Sequence, residues 1–356
     1  VTPFPGLTAV IAGNHATAVV RVDSQSNMIF DGFNGTSNYN LTIINTGNAG
    51  ASSRSLYLCG ASQFNQFKNM NFRSGARATN YSNVHISGFS TGGVQDCSFD
   101  NDKFFGNGED NAEIMVSISG NATGINMRDT IRNSFIYDFK GLSPYMGSGI
   151  SNTSHTDGLL IENNDITVSY PSTDYVAGAA GIIIGSSTGN VKNVIVRNNN
   201  IHDLVSTTAS TACYGIQLSG VSTQTSRIAT EGITVDNNTI TNIKAPHLTG
   251  VSVYGITVGN SVKNSFITNN HISDLGGGGI QPTGIRVTQG TTSLYPMVNI
   301  DVIGNTIDGL NNSTLDPTYV YTYAISTGYV NNCRVMKNKI TNITTSGYPK
   351  YVFGIN

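Results

Sequence analysis

The chain has 356 residues, of which 11% are charged, and its formal net charge is −2. Globular proteins usually carry about 25% charged residues, and a nucleic-acid-binding protein needs a basic face to neutralise phosphates, so this composition excludes such a role. Short alternating runs of apolar residues recur among 40 glycines, which predicts an ordered all-β protein with many turns. No apolar run approaches the roughly 18 residues that a membrane span requires.

The first 60 residues contain two strand-like segments that follow the later pattern only loosely. Residues 27–32 read Asn-Met-Ile-Phe-Asp-Gly, and residues 40–45 read Asn-Leu-Thr-Ile-Ile-Asn. We therefore expect atypical first coils over residues 1–60. Because Val1 is not followed by a charged and then apolar leader, we expect any signal peptide to lie before it.

Regular repeats occupy residues 61–356. The segment from Asn193 to Leu204 shows the pattern, with alternating strand residues, a run of Asn and a central Ile201. We call this central apolar residue the anchor, and it recurs at intervals of 30 to 39 residues. The anchors are Phe72, Phe104, Ile136, Ile166, Ile201, Ile240, Ile272, Ile307 and Ile340. Self-similarity of this extent indicates a solenoid.

Two columns of residues precede the anchors. Asparagine tolerates a left-handed backbone better than most residues, so it suits a sharp bend between two strands. The column three residues before the anchor is Asn69, Asn101, Asn133, Asn163, Asn198, Asn237 and Asn269, followed by Gly304 and Lys337. The column two residues before it is Met70, Asp102, Ser134, Asn164, Asn199, Asn238, Asn270, Asn305 and Asn338. In coils stacked about 4.8 Å apart such amides form ladders, so we interpret both columns as structural and not catalytic.

A third strand in each repeat opens with Gly or Ala. Examples are residues 181–184, 215–218, 255–258, 284–287 and 324–327. The tight Asn-Gly hairpins that a propeller needs between its strands do not recur with the repeat, and the period exceeds the roughly 20–29 residues of leucine-rich repeats. The sequence therefore predicts one continuous all-β parallel β-helix over residues 1–356, with about ten coils of three short strands, ending in mid-coil at residues 354–356.

The Asn-x-Ile turn columns resemble those of the pectate-lyase-like superfamily of right-handed parallel β-helices. More specifically, residues 27–32 and 40–45 resemble the β-helix repeat region of large surface proteins of bacteria that use type IX secretion. The resemblance covers nearly the whole chain and implies a right-handed solenoid in a secreted, extracellular or cell-surface protein. It is specific for architecture and not for function, because this fold hosts lyases, hydrolases, adhesins and spacers.

Four cysteines are widely scattered at Cys59, Cys97, Cys213 and Cys333. No Cys-x-x-Cys pair indicates a metal site, and we predict buried free thiols. Cys97 and Cys333 align with Val194 in the repeat, at an inward-facing position where cysteine acts as a small hydrophobic residue.

Asp157 is the one catalytic candidate. The segment His155-Thr-Asp-Gly158 looks like the Asn-Thr-Asp-Gly element of polygalacturonase-type hydrolases. Those enzymes also need an Asp-Asp pair, a Gly-His-Gly and an Arg-x-Lys in the next coils, and this chain has none of the three. We therefore favour a turn aspartate and assign no catalytic residue.

Asp100, Asp102 and Asp110 lie around the glycine-containing segment 106–108. Oxygen ligands on a flexible loop suit calcium, so these three residues are calcium candidates. We favour a solvated acidic loop, and we expect no cofactor apart from structural calcium as the alternative.

Tyr319, Tyr321 and Tyr323 are the candidate binding residues, because tyrosine rings stack on sugars or pack against protein partners. The alternative is that they are ordinary outward-facing strand residues. From all these patterns we expect a non-catalytic structural or adhesive module of a bacterial surface protein, which binds polysaccharide or a cell-surface partner or assembles head to tail into fibres. A polysaccharide lyase or glycoside hydrolase is the alternative.

Overall fold

The polypeptide winds into a solenoid whose successive coils stack three parallel β-sheets. The computed structural model describes residues 1–46, 54–74, 82–106, 112–140, 146–168, 178–185, 189–206, 212–220, 230–245, 252–277, 281–289, 296–313, 321–346 and 351–356. Within these ranges every regular element is a strand, and all pairings between strands are parallel. No helix in these ranges has the length and hydrophobicity to span a bilayer.

Sheet A contains the anchors and has 12 strands. They are Ala9–Gly13, Leu41–Asn45, Met70–Ser74, Lys103–Phe105, Phe135–Tyr137, Asp165–Thr167, Asn200–His202, Thr239–Lys244, His271–Gly277, Thr306–Asn312, Lys339–Thr341 and Thr344–Thr345. Sheet B contains the strands opened by Gly or Ala and has 11 strands. They are Ala18–Asp23, Arg54–Cys59, Ser82–Ser87, Ile114–Ser119, Gly147–Ser154, Ala179–Ile184, Cys213–Leu218, Val253–Gly259, Pro282–Thr288, Tyr321–Gly328 and Tyr351–Ile355.

Sheet C precedes the Asn bend of each coil and has 14 strands. They are Ile29–Asp31, Gln66–Lys68, Ser98–Asp100, Asn126–Met127, Thr130–Arg132, Thr156–Asp157, Leu160–Glu162, Val191–Lys192, Ile195–Arg197, Thr230–Glu231, Thr234–Asp236, Val262–Thr268, Met297–Ile303 and Val330–Met336. The predicted all-β, right-handed parallel β-helix with three strands per coil is confirmed. The 11 strands of sheet B are close to the predicted number of about ten coils.

The core lies between the three sheets and follows the repeat. Val194, Val196 and the anchor Ile201 point inward and are fully buried, because alternate residues of a strand face opposite sides. In the early coils the interior is filled by phenylalanine rings stacked along the solenoid axis. Phe67 lies 4.8 Å from Phe99, and Phe72 lies 5.1 Å from Phe104, measured between ring centroids.

The asparagines three residues before the anchor all adopt left-handed backbone, with φ between 51° and 58°. Their side chains lie towards solvent and form an interrupted series of hydrogen bonds. Asn101 donates its Nδ2 to Oδ1 of Asn69 over 2.7 Å, and Asn237 donates to Asn198 over 2.8 Å. Asn269 donates instead to Asp236. We call this column the outer amide column.

The column two residues before the anchor points into the solenoid and forms a continuous buried ladder in the late coils. Each amide from Asn164 to Asn305 donates Nδ2 to Oδ1 of the next amide, over 2.9–3.0 Å. The same Oδ1 accepts a backbone N–H of the preceding coil, as Oδ1 of Asn238 does from Asn199. We call this column the inner amide ladder, and it leaves few buried polar groups unpaired.

Three of the four predicted buried thiols, Cys59, Cys97 and Cys213, are buried, and all four cysteines are free. Burial raises the pKa of the Cys97 and Cys213 thiols to about 12, so they are inert towards oxidants that need a thiolate. Cys333 differs from the prediction because it is only half-buried. Its strand, Val330–Met336, pairs on one side only, so it has less cover than a strand inside the sheet.

Candidate functional site

The outer face of sheet C carries charges whose sign alternates from coil to coil. The residues that pair in register on seven successive coils are Asp31, Lys68, Asp100, Arg132, Glu162, Arg197 and Asp236. Arg132 lies 2.7 Å from Asp100, and Arg197 lies 2.6 Å from Glu162. We call this set the charge column. Because each charge has neighbours of opposite sign, the column neutralises itself and offers little net attraction to a charged ligand.

Sheet B differs from sheet C because it is almost free of charge. Its strands contain Arg21, Asp23, Arg54 and Arg286 as their charged residues, and Arg21 pairs with Asp23 at 2.5 Å. From Arg54 onward the strands of this sheet contain no acidic residue. Arg54 and Arg286 have no carboxylate partner within the described ranges, so any ligand on this face meets arginine that is not already neutralised.

An aromatic column runs along the outer face of the late coils of sheet B. On five successive coils the strand register aligns Tyr214, Tyr254, Thr283, Tyr323 and Phe353. The ring centroids of Tyr214 and Tyr254 are 5.2 Å apart and nearly parallel, as are those of Tyr323 and Phe353. Rings stacked in this way cover one another's faces. Tyr254 is only 6% exposed, so a ligand can reach this column at the partly exposed rings of Tyr214, Tyr323 and Phe353.

Tyr321 widens this column into a cluster. Its ring lies 6.0 Å from Tyr323 and 5.5 Å from Tyr351, whose side chain is exposed. We call Tyr214, Tyr254, Arg286, Tyr321, Tyr323, Tyr351 and Phe353 the aromatic strip. The structure therefore places two of the predicted binding residues, Tyr321 and Tyr323, in one surface cluster, whereas Tyr319 lies outside the described residues.

Arg286 fills the gap in the aromatic column at the coil of Thr283. Its guanidinium lies 5.4 Å from the centroid of the Tyr254 ring, and its Nη1 donates a 2.7 Å hydrogen bond to the Tyr254 hydroxyl. Burial raises the pKa of Tyr214 to about 12 and also raises that of Tyr323, so both hydroxyls stay protonated at neutral pH. The strip thus combines aromatic rings, hydrogen-bond donors and one cation. Sequence analysis missed the cation, Arg286, although it lies in the strand segment 284–287 that the repeat had identified.

The early end of sheet B carries a second group of arginine and aromatic side chains. The guanidinium of Arg54 lies 5.0 Å from the Tyr57 ring centroid, and the Tyr57 ring lies 5.4 Å from His85. His85 is hydrogen-bonded through Nε2 to the Ser119 hydroxyl at 2.9 Å. Burial and the nearby Arg54 lower the pKa of His85 to about 3, so the imidazole is neutral at physiological pH.

The catalytic candidate Asp157 lies beside a cleft of about 280 Å³ on sheet C. His155 and Lys192 also line this cleft. Asp157 accepts a 2.7 Å hydrogen bond from Nδ2 of Asn193, and Lys192 on the next coil is 2.9 Å from Glu231. The strand register places Asp157, Lys192 and Glu231 on three successive coils, so two carboxylates are separated by one lysine.

The calcium candidates do not come together. Asp100 faces outward in the charge column, whereas Asp102 is completely buried at a position of the inner amide ladder. Asp110 lies outside the described residues. The favoured solvated acidic loop is wrong for Asp102, which is buried. The bend between the strands Ser98–Asp100 and Lys103–Phe105 turns its side chain into the inner amide ladder. Among the described residues, no group of three or more His, Cys, Asp or Glu side chains has an arrangement suited to a metal ion.

No protein-family model matches the chain, and no curated protein sequence matches it. Two solved structures of the surface adhesin PfbA of Streptococcus pneumoniae are similar in fold. One has 13% identity and a TM-score of 0.56, with 100% of this chain and 85% of that chain covered. The other has 12% identity and a TM-score of 0.51, with 99% and 78% covered.

The Dettilon tailspike protein is also similar, at 13% identity and a TM-score of 0.44. The match covers 96% of this chain and 60% of the tailspike, so the chain spans less than two thirds of that protein's length. At these identities the likeness to PfbA shows the parallel β-helix fold alone.

Proposed function

We propose that the chain is a non-catalytic binding module of a secreted or cell-surface bacterial protein, in which a stiff solenoid presents its outer faces to a glycan or another surface partner. The observation that carries this proposal is the aromatic strip on sheet B. A tyrosine side chain offers a ligand an apolar ring and a hydroxyl group that forms hydrogen bonds, and this combination suits a sugar.

The strip is preorganised, which favours binding. Each of its rings stacks on a ring of an adjacent coil, and Arg286 is held by the Tyr254 hydroxyl. Ordering such side chains on binding costs about 0.5–1.5 kcal/mol for each side chain that was free before. A strip that is ordered in advance avoids this cost, and the absence of acidic residues along these strands of sheet B also admits ligands that carry negative charge.

Binding of the full chain to an array of neutral and acidic oligosaccharides tests this proposal. We expect retention of at least one glycan, and about a tenfold loss of affinity in the variant Tyr323→Ala, since loss of one stacked aromatic contact is worth on the order of 1 kcal/mol. Tyr137→Ala is the matched control, because Tyr137 stacks on Phe105 at 5.2 Å on the outer face of sheet A. Equal losses in both variants, or no retention of any glycan, contradict the role of the strip.

Secretion and assembly belong to the same proposal. We propose export by the type IX route, on the resemblance of residues 27–32 and 40–45, and head-to-tail assembly into fibres as a further form of the module. Fractionation of a bacterium that has a type IX system and expresses the full gene product tests the proposed export.

Light scattering of the purified chain over a range of concentrations tests the proposed assembly into fibres, since a constant monomer mass contradicts it.

A second candidate function is a polysaccharide lyase or hydrolase centred on Asp157. The alignment of Asp157, Lys192 and Glu231 on successive coils beside a cleft favours it, because polysaccharide cleavage uses acidic and basic groups spaced along one groove. Incubation with uronate and neutral polysaccharides, with and without calcium, discriminates the two candidates. Product release that Asp157→Asn abolishes favours the enzyme, and its absence in all mixtures favours the binding module.

A further inference from the structure

The outer face of sheet C carries a groove of about 410 Å³ in its late coils. It crosses the strands Val262–Thr268, Met297–Ile303 and Val330–Met336, which pair in parallel. We call it the amide groove, and its lining consists of Asn264, Phe266, Asn299, Asp301, Asn332 and Arg334.

Three asparagines form one wall of the amide groove. Asn264, Asn299 and Asn332 occupy the same position on successive coils, with φ between 49° and 57°. Asn299 donates Nδ2 to Oδ1 of Asn264 over 2.8 Å, and Asn332 donates to Asn299 over 3.2 Å. Within the described ranges, Nδ2 of Asn264 has no acceptor and Oδ1 of Asn332 has no donor. The wall therefore ends in one donor and one acceptor that no described residue uses.

Phe266 supplies an apolar surface beside these amides. Its side chain is 46% exposed, and in the described part of the chain it makes no ring contact with another aromatic residue. The residues beside it in register are Thr234 and Asp301. This arrangement differs from that of the aromatic strip, where rings cover one another. An exposed ring without an aromatic partner keeps a face available for the C–H groups of a ligand.

Asp301 and Arg334 form the polar end of the groove. Arg334 donates from Nε to Oδ1 of Asp301 over 2.7 Å and from Nη2 to Oδ2. The hydrogen bonds from Arg334 lower the pKa of the Asp301 carboxyl, so the pair is ionised and has no net charge at neutral pH. Arg334 is largely exposed, and the guanidinium N–H groups that do not face Asp301 can donate to a ligand. Without net charge, the groove offers no electrostatic preference for an ionic ligand.

We propose that the amide groove binds a pyranose unit of a neutral glycan. A pyranose has an apolar C–H face that fits an exposed aromatic ring and a rim of hydroxyl groups, each of which both donates and accepts. Phe266 matches the apolar face, and Asn264, Asn332 and Arg334 match the hydroxyl rim. The groove lies on sheet C and the aromatic strip lies on sheet B. Binding at the groove can therefore be tested independently of binding at the strip.

Titration of the full chain with cellohexaose, mannohexaose, xylohexaose and laminarihexaose, followed by calorimetry, tests the proposal. We expect one of these neutral probes to bind, and we expect Phe266→Ala to weaken its binding by about tenfold or more, whereas Phe266→Tyr stays within about threefold because the ring is kept. Phe135→Ala is the matched control, since Phe135 is similarly exposed on the outer face of sheet A. Tyr323→Ala should leave this binding unchanged.

Several results overturn the proposal. The proposal is contradicted if no neutral probe binds. It is also contradicted if Phe135→Ala weakens binding as much as Phe266→Ala does. If Tyr323→Ala abolishes binding while Phe266→Ala does not, the aromatic strip is the glycan site and the amide groove is not. Thermal melting of each variant, expected within 2 °C or so of the parent for exposed side chains, shows that the fold is retained.

Discussion

In the coils of Phe67, Phe72 and Phe99 the interior of the solenoid contains phenylalanine rings in stacked and edge-to-face contact. From Asn164 onward it contains mainly aliphatic side chains beside the inner amide ladder. The backbone is the same in both regions, with parallel sheets in register. The difference shows that the coil fixes where a side chain lies, and that quite different side chains can fill the same place, provided that volume and hydrogen bonding are satisfied.

The inner ladder position makes the contrast sharper. In the late coils it is occupied by asparagine without interruption, but in the early coils it holds Met70, Asp102 and Ser134. Oδ1 of Asp102 accepts the backbone N–H of Met70 over 2.8 Å, as an asparagine does. Oδ2 of Asp102 is buried and has no hydrogen-bond partner among the described residues. The early ladder is thus incomplete where the late ladder is satisfied.

The largest expected effect concerns the early rings. Phe99→Ala should lower the free energy of unfolding by about 3–5 kcal/mol, because Phe99 is fully buried and contacts Phe67, Phe72 and Phe104. Val235→Ala, at the equivalent inward position of a late coil, should cost about 1–3 kcal/mol. Urea unfolding, together with hydrogen exchange to locate the loss, measures both. Equal losses of unfolding free energy in the two variants would mean that Phe99 stabilises its coil no more than Val235 stabilises the equivalent late coil.

The next effect concerns the two asparagine columns, which lie side by side at Asn237 and Asn238. Asn238→Ala removes five hydrogen bonds and leaves the buried N–H of Asn199 without its acceptor, which should lower the free energy of unfolding by about 2–4 kcal/mol. Asn237→Gly is the matched control, because glycine tolerates its left-handed backbone, as Gly304 does in the same column. It loses one exposed hydrogen bond and should cost less than about 1 kcal/mol. A control as damaging as Asn238→Ala would contradict the distinction between the columns.

A smaller effect, of opposite sign, is expected from repairing the early ladder. Burial raises the pKa of Asp102 well above its usual value, so the folded protein keeps a proton that the unfolded chain gives up above about pH 4. The contribution of Asp102 to stability is therefore complete below about pH 4 and is lost as pH rises towards its folded pKa. Asp102→Asn has no carboxyl to ionise, so it should raise the free energy of unfolding by about 1–3 kcal/mol at pH 7.

Melting of Asp102→Asn and of the parent at pH 4 and pH 7 measures this gain, which should be much smaller at the lower pH. Asp100→Asn is the control, because Asp100 faces solvent in the charge column. If Asp102→Asn is no more stable than the parent at pH 7, the buried carboxyl has a partner that supports its charge.

The smallest expected effect concerns the charge column. It shows whether ion pairs on the outer surface contribute differently to stability in the early and the late coils. Arg132→Gln breaks an ion pair of the charge column near the early coils, and Arg197→Gln breaks one nearer the late coils. Exposed pairs contribute about 0–1 kcal/mol, so both variants should lose similarly little, and less still at high salt. A loss above 2 kcal/mol or so in either variant would show that the column contributes more than exposed pairs do.

The sequence alone predicts the coils because the anchors, the left-handed asparagines and the Gly-opened strands repeat at one period, and a period is visible without coordinates. It does not predict the burial of Asp102 as easily. Asp102 looks acidic and loop-like beside Asp100 and Asp110, and only its alignment with Asn164 and Asn199 places it inside. The order of residues along the chain favours a solvated acidic loop, with calcium as the alternative, whereas the alignment of Asp102 with the residues of other coils favours a place in the inner amide ladder.

The binding surfaces are harder to predict, since they depend on neighbours in different coils. From Lys68 to Asp236 the charge column occupies the position four residues before the anchor, and its alternation of sign was therefore present in the sequence. The amide groove was also visible as residues that recur with the repeat, at Asn264, Asn299 and Asn332. What the period cannot show is exposure, ring stacking and which side chains pair, because these follow from side-chain packing.

The inner amide ladder gives the solenoid a direction, because every amide from Asn164 to Asn305 donates towards the coil that follows it in sequence. Under tension applied to its ends, such a rod should detach one coil at a time, each time breaking the same few bonds. A repeat of 30 to 39 residues then releases about 10–14 nm of extended chain. Pulled as a tether, the late half should resist with a series of nearly equal force peaks and lengthen stepwise under load.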